Sequence, residues 1–215
     1  MSRPFSLAMC SSAYVVRILA TVLCLAASLT APVRAVGRTF LTKEEALTLA
    51  FEGCEIVRGV RVLDAPARKQ IEKLSGSAPE RGIVYAYTAS KDGKCVGTAY
   101  FDVHRVRTLR QVLMVVVDPE GRIRRVELLA FAEPTEFIPN ARWYGQFVGK
   151  ALDETLSLKR DIKGVTGATL TARATTQAVR RVLATHAVLH PAPIEKAPPK
   201  DRPQIQPEKT PDKTP

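Results

Sequence analysis

A chain of 215 residues, 46% hydrophobic and 25% charged, has enough apolar surface for one core of ordinary size, and neither end has the composition to add a second. The formal charge of +11 excludes an acidic solvating chain. Its cations are scattered without a nucleic-acid-binding motif, so no nucleic-acid partner is expected.

In chain order, Arg3 and Arg17 precede the run ILATVLCLAASLTA. At about 14 residues it suits the core of a signal peptide and falls short of the roughly 20 that span a bilayer. VRA, ending at Ala35, offers small residues to a signal peptidase, whereas Met9 before Cys10 and Leu23 before Cys24 do not make a lipoprotein signal. The expectation is a leader over residues 1–35, removed on export or kept as an uncleaved anchor. Either outcome gives a periplasmic or otherwise extracytoplasmic domain, membrane-associated in the second case. The leader carries three arginines and no acids, so +8 remains after cleavage. Residues 191–215 are rich in proline and charge and poor in large apolar side chains, and are expected to form a disordered tail. The domain is therefore sought over residues 36–190.

Within it, Thr42 and Glu45 have the spacing of a capping box, predicting a helix from there to about Phe51, with Gly53 as its stop. Cys54 and Cys95 remain after cleavage, and an exported chain with two cysteines permits one disulfide, worth about 4 kcal/mol for such a loop. The sequence leaves open whether they meet. EIVRGVRVL alternates as a strand, and APARKQIEKLSG predicts a second helix with Ala67, Ile71 and Leu74 on its buried face and Gly76 at its end. IVYAYTAS and CVGTAYFDV flank Asp92-Gly93, and QVLMVVVD and RIRRVELLAF flank PEG, which predicts two hairpins. Both phases of QVLMVVVD are apolar, so that strand should be covered on both faces.

Farther along, Asn140 is placed to cap a short helix bearing Trp143 and Phe147 four apart. A last helix is expected from Thr169 or Thr171, with Val179, Val182, Leu183 and Leu189 at helical spacing. The fold class is α+β, a small antiparallel sheet packed by helices in a single domain.

Ahead of that helix lies DIKGVTGATLTARATTQAV. Thr166-Gly167 suits a tight turn, Ala168 keeps the wall thin, and Thr169 falls at the helix entry. There, unpaired N–H groups and the helix dipole stabilise a phosphate. The plainer reading is a helix cap behind a glycine turn. The stretch is neither a P-loop nor GxGxxG.

TGATLT resembles the flavinylation motif of the FMN-binding domain family, which includes flavin subunits of the sodium-pumping NADH:quinone oxidoreductase and of the Rnf complex. LTKEEALTLAF, GTAYFDVHRVRTLRQVLMVVVDPEGRI, VELLAFAEPTEF, ARWYGQFVGK and TGATLTARATTQAVRRVL are similar, in order, to blocks of its short exported members. The resemblance implies FMN as cofactor, linked through a phosphoester to Thr169, with Thr166, Gly167, Ala168, Leu170 and Thr171 shaping the site. It implies a flavin transferase as partner for attachment, and a redox partner such as a cytochrome or a membrane electron-transport complex. Family members usually carry Asp three residues before the motif's first Ser or Thr. Here that position is Lys163, with Asp161 two residues earlier.

The expected function is that of an exported FMN-binding electron carrier rather than a stand-alone enzyme, with no catalytic acid–base set. The alternative is a non-redox binding or scaffold module whose flavin site is degenerate or non-covalent. Among the remaining residues, Trp143 and Tyr144 read as core before flavin-stacking groups, and Glu133 as a loop-holder before a flavin contact. Arg173 can reach a phosphate at the helix start, while Arg180 and Arg181 read as a solvated helix face. His104 and His186 read as isolated and His190 adjoins the tail, so no metal site is expected.

Overall fold

The computed structural model describes residues 37–191, so the expected leader over 1–35 and nearly all of the expected tail lie outside the described residues. Six antiparallel strands form one sheet in the order β1-β6-β5-β4-β3-β2. The strands are β1 (Arg38–Thr39), β2 (Glu55–Val62), β3 (Ile83–Lys91), β4 (Lys94–Arg105), β5 (Arg110–Val117) and β6 (Ile123–Phe131). Four α-helices accompany them: α1 (Lys43–Ala50), α2 (Ala65–Ser75), α3 (Ala141–Tyr144) and α4 (Thr169–Leu189). This is the expected α+β domain. Among the described residues, no helix is long and apolar enough to cross a membrane.

Local chemistry sets most of the element ends. In α1 the Thr42 hydroxyl accepts the Glu45 N–H at 3.2 Å, and the Glu45 carboxylate accepts the Thr42 N–H at 2.8 Å, which completes the capping box. The β3–β4 hairpin turns through Asp92 and Gly93 at φ 52° and 73°, the left-handed pair that two-residue hairpins require. Helix α2 starts at Asp64, whose side chain accepts the Ala67 N–H, and stops at Gly76. Its buried face differs from the expected one: Ile71 and Ser75 are buried whereas Leu74 is exposed. Ile71 and Ser75 are one turn apart, and the Ser75 hydroxyl is satisfied by the Ile71 carbonyl at 2.8 Å.

Strand β5 divides the interior. Leu113, Val115 and Val117 face one way, into a core shared with Phe147, Leu156, Ile162, Ala178, Val179 and Leu183. Met114 and Val116 face the other way, onto Ala46, Leu47 and Phe51 of the α1 segment. All five β5 side chains from Leu113 to Val117 are buried. Each contributes on the order of 1.5–3 kcal/mol of burial, which is why an unbroken apolar run was needed here.

The disulfide does not form; Cys54 and Cys95 are both free. Cys54 precedes β2 and Cys95 lies on β4, with β3 between them. Two strand spacings amount to about 9.5 Å, beyond the reach of a disulfide.

Candidate functional site

Gly167 takes φ +82° and turns the chain into α4. Ala168 is the residue before the first helical position, and no side chain caps the helix. Thr169 is the first helical residue, and its hydroxyl points back to the Val165 carbonyl at 3.4 Å instead of bonding to an N–H of the first turn. The plain cap therefore does not describe Thr169. The helix's own bonding begins with Ala172 N–H to Ala168 O at 2.9 Å. The N–H groups of Thr169, Leu170 and Thr171 stand at an open, electropositive helix end.

The expected site residues separate by burial. Thr166, Gly167 and Thr169 are exposed and Leu170 is 49% exposed, whereas Ala168 and Thr171 are buried. Gly167 to Thr171 line a cavity of about 160 Å³ together with Val106, Arg107, Glu133 and Phe137. Thr166 is not on its wall; it supplies the turn. The Thr171 hydroxyl is buried there without a hydrogen-bond partner among the described residues. An orphaned buried hydroxyl beside a cavity marks a place where a ligand or water completes the bonding.

The opposite wall comes from segments far away in sequence. Glu133, just after β6, accepts the N–H groups of Leu109 and Thr108 at 2.8 Å each and of Arg107 at 3.2 Å. These bonds, that from Leu109 foremost, hold the Glu133 carboxyl below its ordinary range. Glu133 is thus the loop-holder, fixing the β4–β5 turn over the cavity. Val106, Arg107 and Phe137 had no signal in the sequence, because only the folding of the β4–β5 loop and of the short turn at Thr135–Phe137 brings them to the motif.

On its other side Thr169 also lines a larger cleft of about 430 Å³, with Ser157, Leu158, Lys159, Gly164, Arg173, Thr176, Gln177 and Arg180. Arg173 is exposed on this cleft, about one turn along α4 from Thr169. The Lys163 backbone is pinned, its carbonyl accepting the Trp143 indole N–H at 2.6 Å and its N–H donating to Gln146 at 2.9 Å. Asp161 is engaged with Lys150 at 2.8 Å. Trp143 and Tyr144 are buried core residues.

An uncapped helix end, an exposed hydroxyl at its first residue and an unsatisfied hydroxyl in the adjoining cavity together fit a phosphate-bearing ligand with a hydrophobic body. Residues 111–184 match the FMN-binding domain family. The match runs from β5 through β6 and the TGAT stretch into α4, and it supports FMN as the cofactor. No curated protein matches the chain.

Two expectations around the matched residues need correction. Arg180 and Arg181 are not a solvated face. Arg180 donates to the carbonyls of Leu74, Ser75, Asp153 and Leu156, and Arg181 is buried in an ion pair with Asp102 at 2.7 Å. His186 is not isolated either. One helical turn brings its ring to 4.8 Å from that of His190, and His186 Nδ1 meets the Tyr100 hydroxyl at 2.9 Å.

Proposed function

We propose that this protein is an exported electron carrier whose FMN is tethered by a phosphoester to Thr169. The observation that carries the reading is the exposed Thr169 hydroxyl on the first residue of an uncapped helix, within the matched FMN-binding domain. A phosphate at that hydroxyl lies against the free N–H groups of the helix end, where its charge is stabilised. Thr171 would offer its unsatisfied hydroxyl to the cofactor from the cavity wall, while Ala168 and Phe137 exclude water there. FMN, when bound, supplies reversible electron transfer in its ring system.

Among the described residues the Thr169 hydroxyl is hydrogen-bonded only to the Val165 carbonyl, with no histidine, cysteine or carboxylate bonded to it. Attachment therefore calls for a separate flavin transferase. The open helix end and the adjoining cavity suit holding a cofactor, which supports a carrier that hands electrons to another protein, such as a cytochrome or a membrane electron-transport complex. The leader expected over residues 1–35 supports an extracytoplasmic location, where a tether prevents loss of the cofactor.

The full chain, co-expressed with a flavin transferase and then denatured, should retain flavin fluorescence and the added mass of FMN on the polypeptide, and Thr169→Ala should lose both. Flavin released on denaturation of the unaltered chain would replace the tether by non-covalent binding. A chain that never holds flavin would leave the scaffold reading.

A further inference from the structure

The cleft on the far side of Thr169 has no place in the binding of FMN described above. Three cations line it: Lys159, Arg173 and Arg180. None of them is paired with a carboxylate among the described residues. The Arg180 guanidinium is immobilised by four main-chain carbonyls, which orient it without cancelling its charge. Lys159 takes φ +68°, a left-handed conformation disfavoured for a residue with a Cβ, and its N–H donates to the Ile162 carbonyl at 2.9 Å. No carboxylate lines the cleft itself among the described residues; of the acids near it in sequence, Asp161 pairs with Lys150 and the Asp153 side chain accepts from Thr155 and Leu156, while Glu154 is exposed and outside the lining.

Unpaired like charges gathered in a concave wall repel one another, and they raise the local concentration of whatever anion can neutralise them. Among them Leu158, half-buried, also lines the cleft, giving a small apolar spot within the cationic wall. Such a spot bordered by charge has the make-up of a protein-docking surface. The wall is concave and lined by Ser157, Thr176 and Gln177 between the cations. That shape takes inserted side chains, whereas a bilayer surface would meet a convex basic face carrying several apolar side chains.

We propose that this cleft is the docking surface for an acidic redox partner, whose carboxylates enter between Lys159, Arg173 and Arg180 and whose redox centre is thereby brought over Thr169. The proposal rests on the carrier reading for its electron transfer, though not for the docking itself. Long-range attraction then speeds encounter, and the cleft sets the orientation.

Two measurements test it, and the first needs no flavin. Amide resonances of the flavin-free full chain are followed while hexaglutamate is added. Saturable shifts should centre on residues 157–160 and 173–180, with affinity falling about tenfold or more from low to physiological salt. The double variant Lys159→Glu, Arg173→Glu should lose these shifts while keeping the dispersed spectrum of a folded domain. Shifts centred elsewhere, or unchanged binding by the charge-reversed variant, overturn the proposal. Protection of the cleft by phosphatidylcholine vesicles containing phosphatidylglycerol, without a response to hexaglutamate, overturns it in favour of a membrane.

The second measurement uses the flavin-loaded chain, reduced with dithionite. One electron passes from the reduced flavin to ferricyanide, giving ferrocyanide, or to hexaammineruthenium(III), giving its ruthenium(II) form. The ferricyanide rate should fall with added salt and the ruthenium rate should rise, and the double variant should reverse both trends. Rates that ignore salt would overturn the placing of the cleft beside the flavin. A chain that takes up no flavin fails the carrier reading alone, because the peptide titration still decides the docking.

Discussion

Asp102 shows how a single side chain can be worth more than its place in the sequence suggests. Its carboxylate lies between the Arg181 guanidinium and His104 Nδ1, at 2.7 and 2.8 Å, beneath α4. Burial works against its ionised form, but the His104 hydrogen bond and the Arg181 charge outweigh it and hold the carboxyl below its ordinary range. Removing one partner strands the other's charge in the interior. Asp102→Ala should therefore cost about 3–5 kcal/mol by urea unfolding, and adding Arg181→Met should return part of that loss. His186 makes a second residue-scale case. Burial against Tyr100, with His190 adding repulsion, lowers its imidazole to about 4 from an ordinary value of 6.5. The unfolded chain takes up the proton first as pH falls, so stability is full above about 6.5 and is lost progressively toward about 4. Urea midpoints measured across that window should fall with pH in the natural chain and fall less steeply in His186→Asn.

At the scale of elements, what the sequence disclosed depended on whether a feature was local. The capping box at Thr42 and Glu45, the Asp92-Gly93 turn and the two apolar phases of β5 all lie within a few residues, and all occur as the residues suggest. The motif could likewise be read as a turn running into a helix. Whether Thr169 capped that helix or left it open was settled by Ala168, which takes the cap position and presents no side-chain acceptor. The cavity's other wall was hidden because the Glu133 bonds to the β4–β5 loop span 24 to 26 residues. The same holds for Arg181, whose partner is 79 residues away; at helical spacing alone, an arginine pair looks solvated. Gly167 is where local geometry and the site meet. A Cβ there touches nothing within 4 Å, so Gly167→Ala is limited only by its φ of +82°. It should cost about 1–2 kcal/mol in thermal or urea unfolding. It should also weaken FMN retention, because relaxing the turn moves the start of α4.

For the molecule as a whole, the sheet separates two cores with different tasks. One face carries α1 and the cluster around Phe51 and Met114; the other carries α4, the 150–168 segment and the cluster around Phe147 and Leu156. The second cluster supports the TGAT stretch, since Ile162, Val165 and Ala172 belong to it or pack against it on either side of the motif. Among the described residues, none of the 150–168 segment or of α4 belongs to the first cluster. Met114 and Leu156 are both fully buried, so Met114→Ala and Leu156→Ala should each cost about 2–5 kcal/mol. Because they open cavities on opposite sides of the sheet, the double variant should lose nearly the sum of the two. Flavin content after gel filtration separates their effects: Leu156→Ala should release non-covalently held FMN or slow its attachment, and Met114→Ala, at equal loss of stability, should retain it. Equal flavin loss in both variants would mean that retention follows global stability and not the packing behind α4.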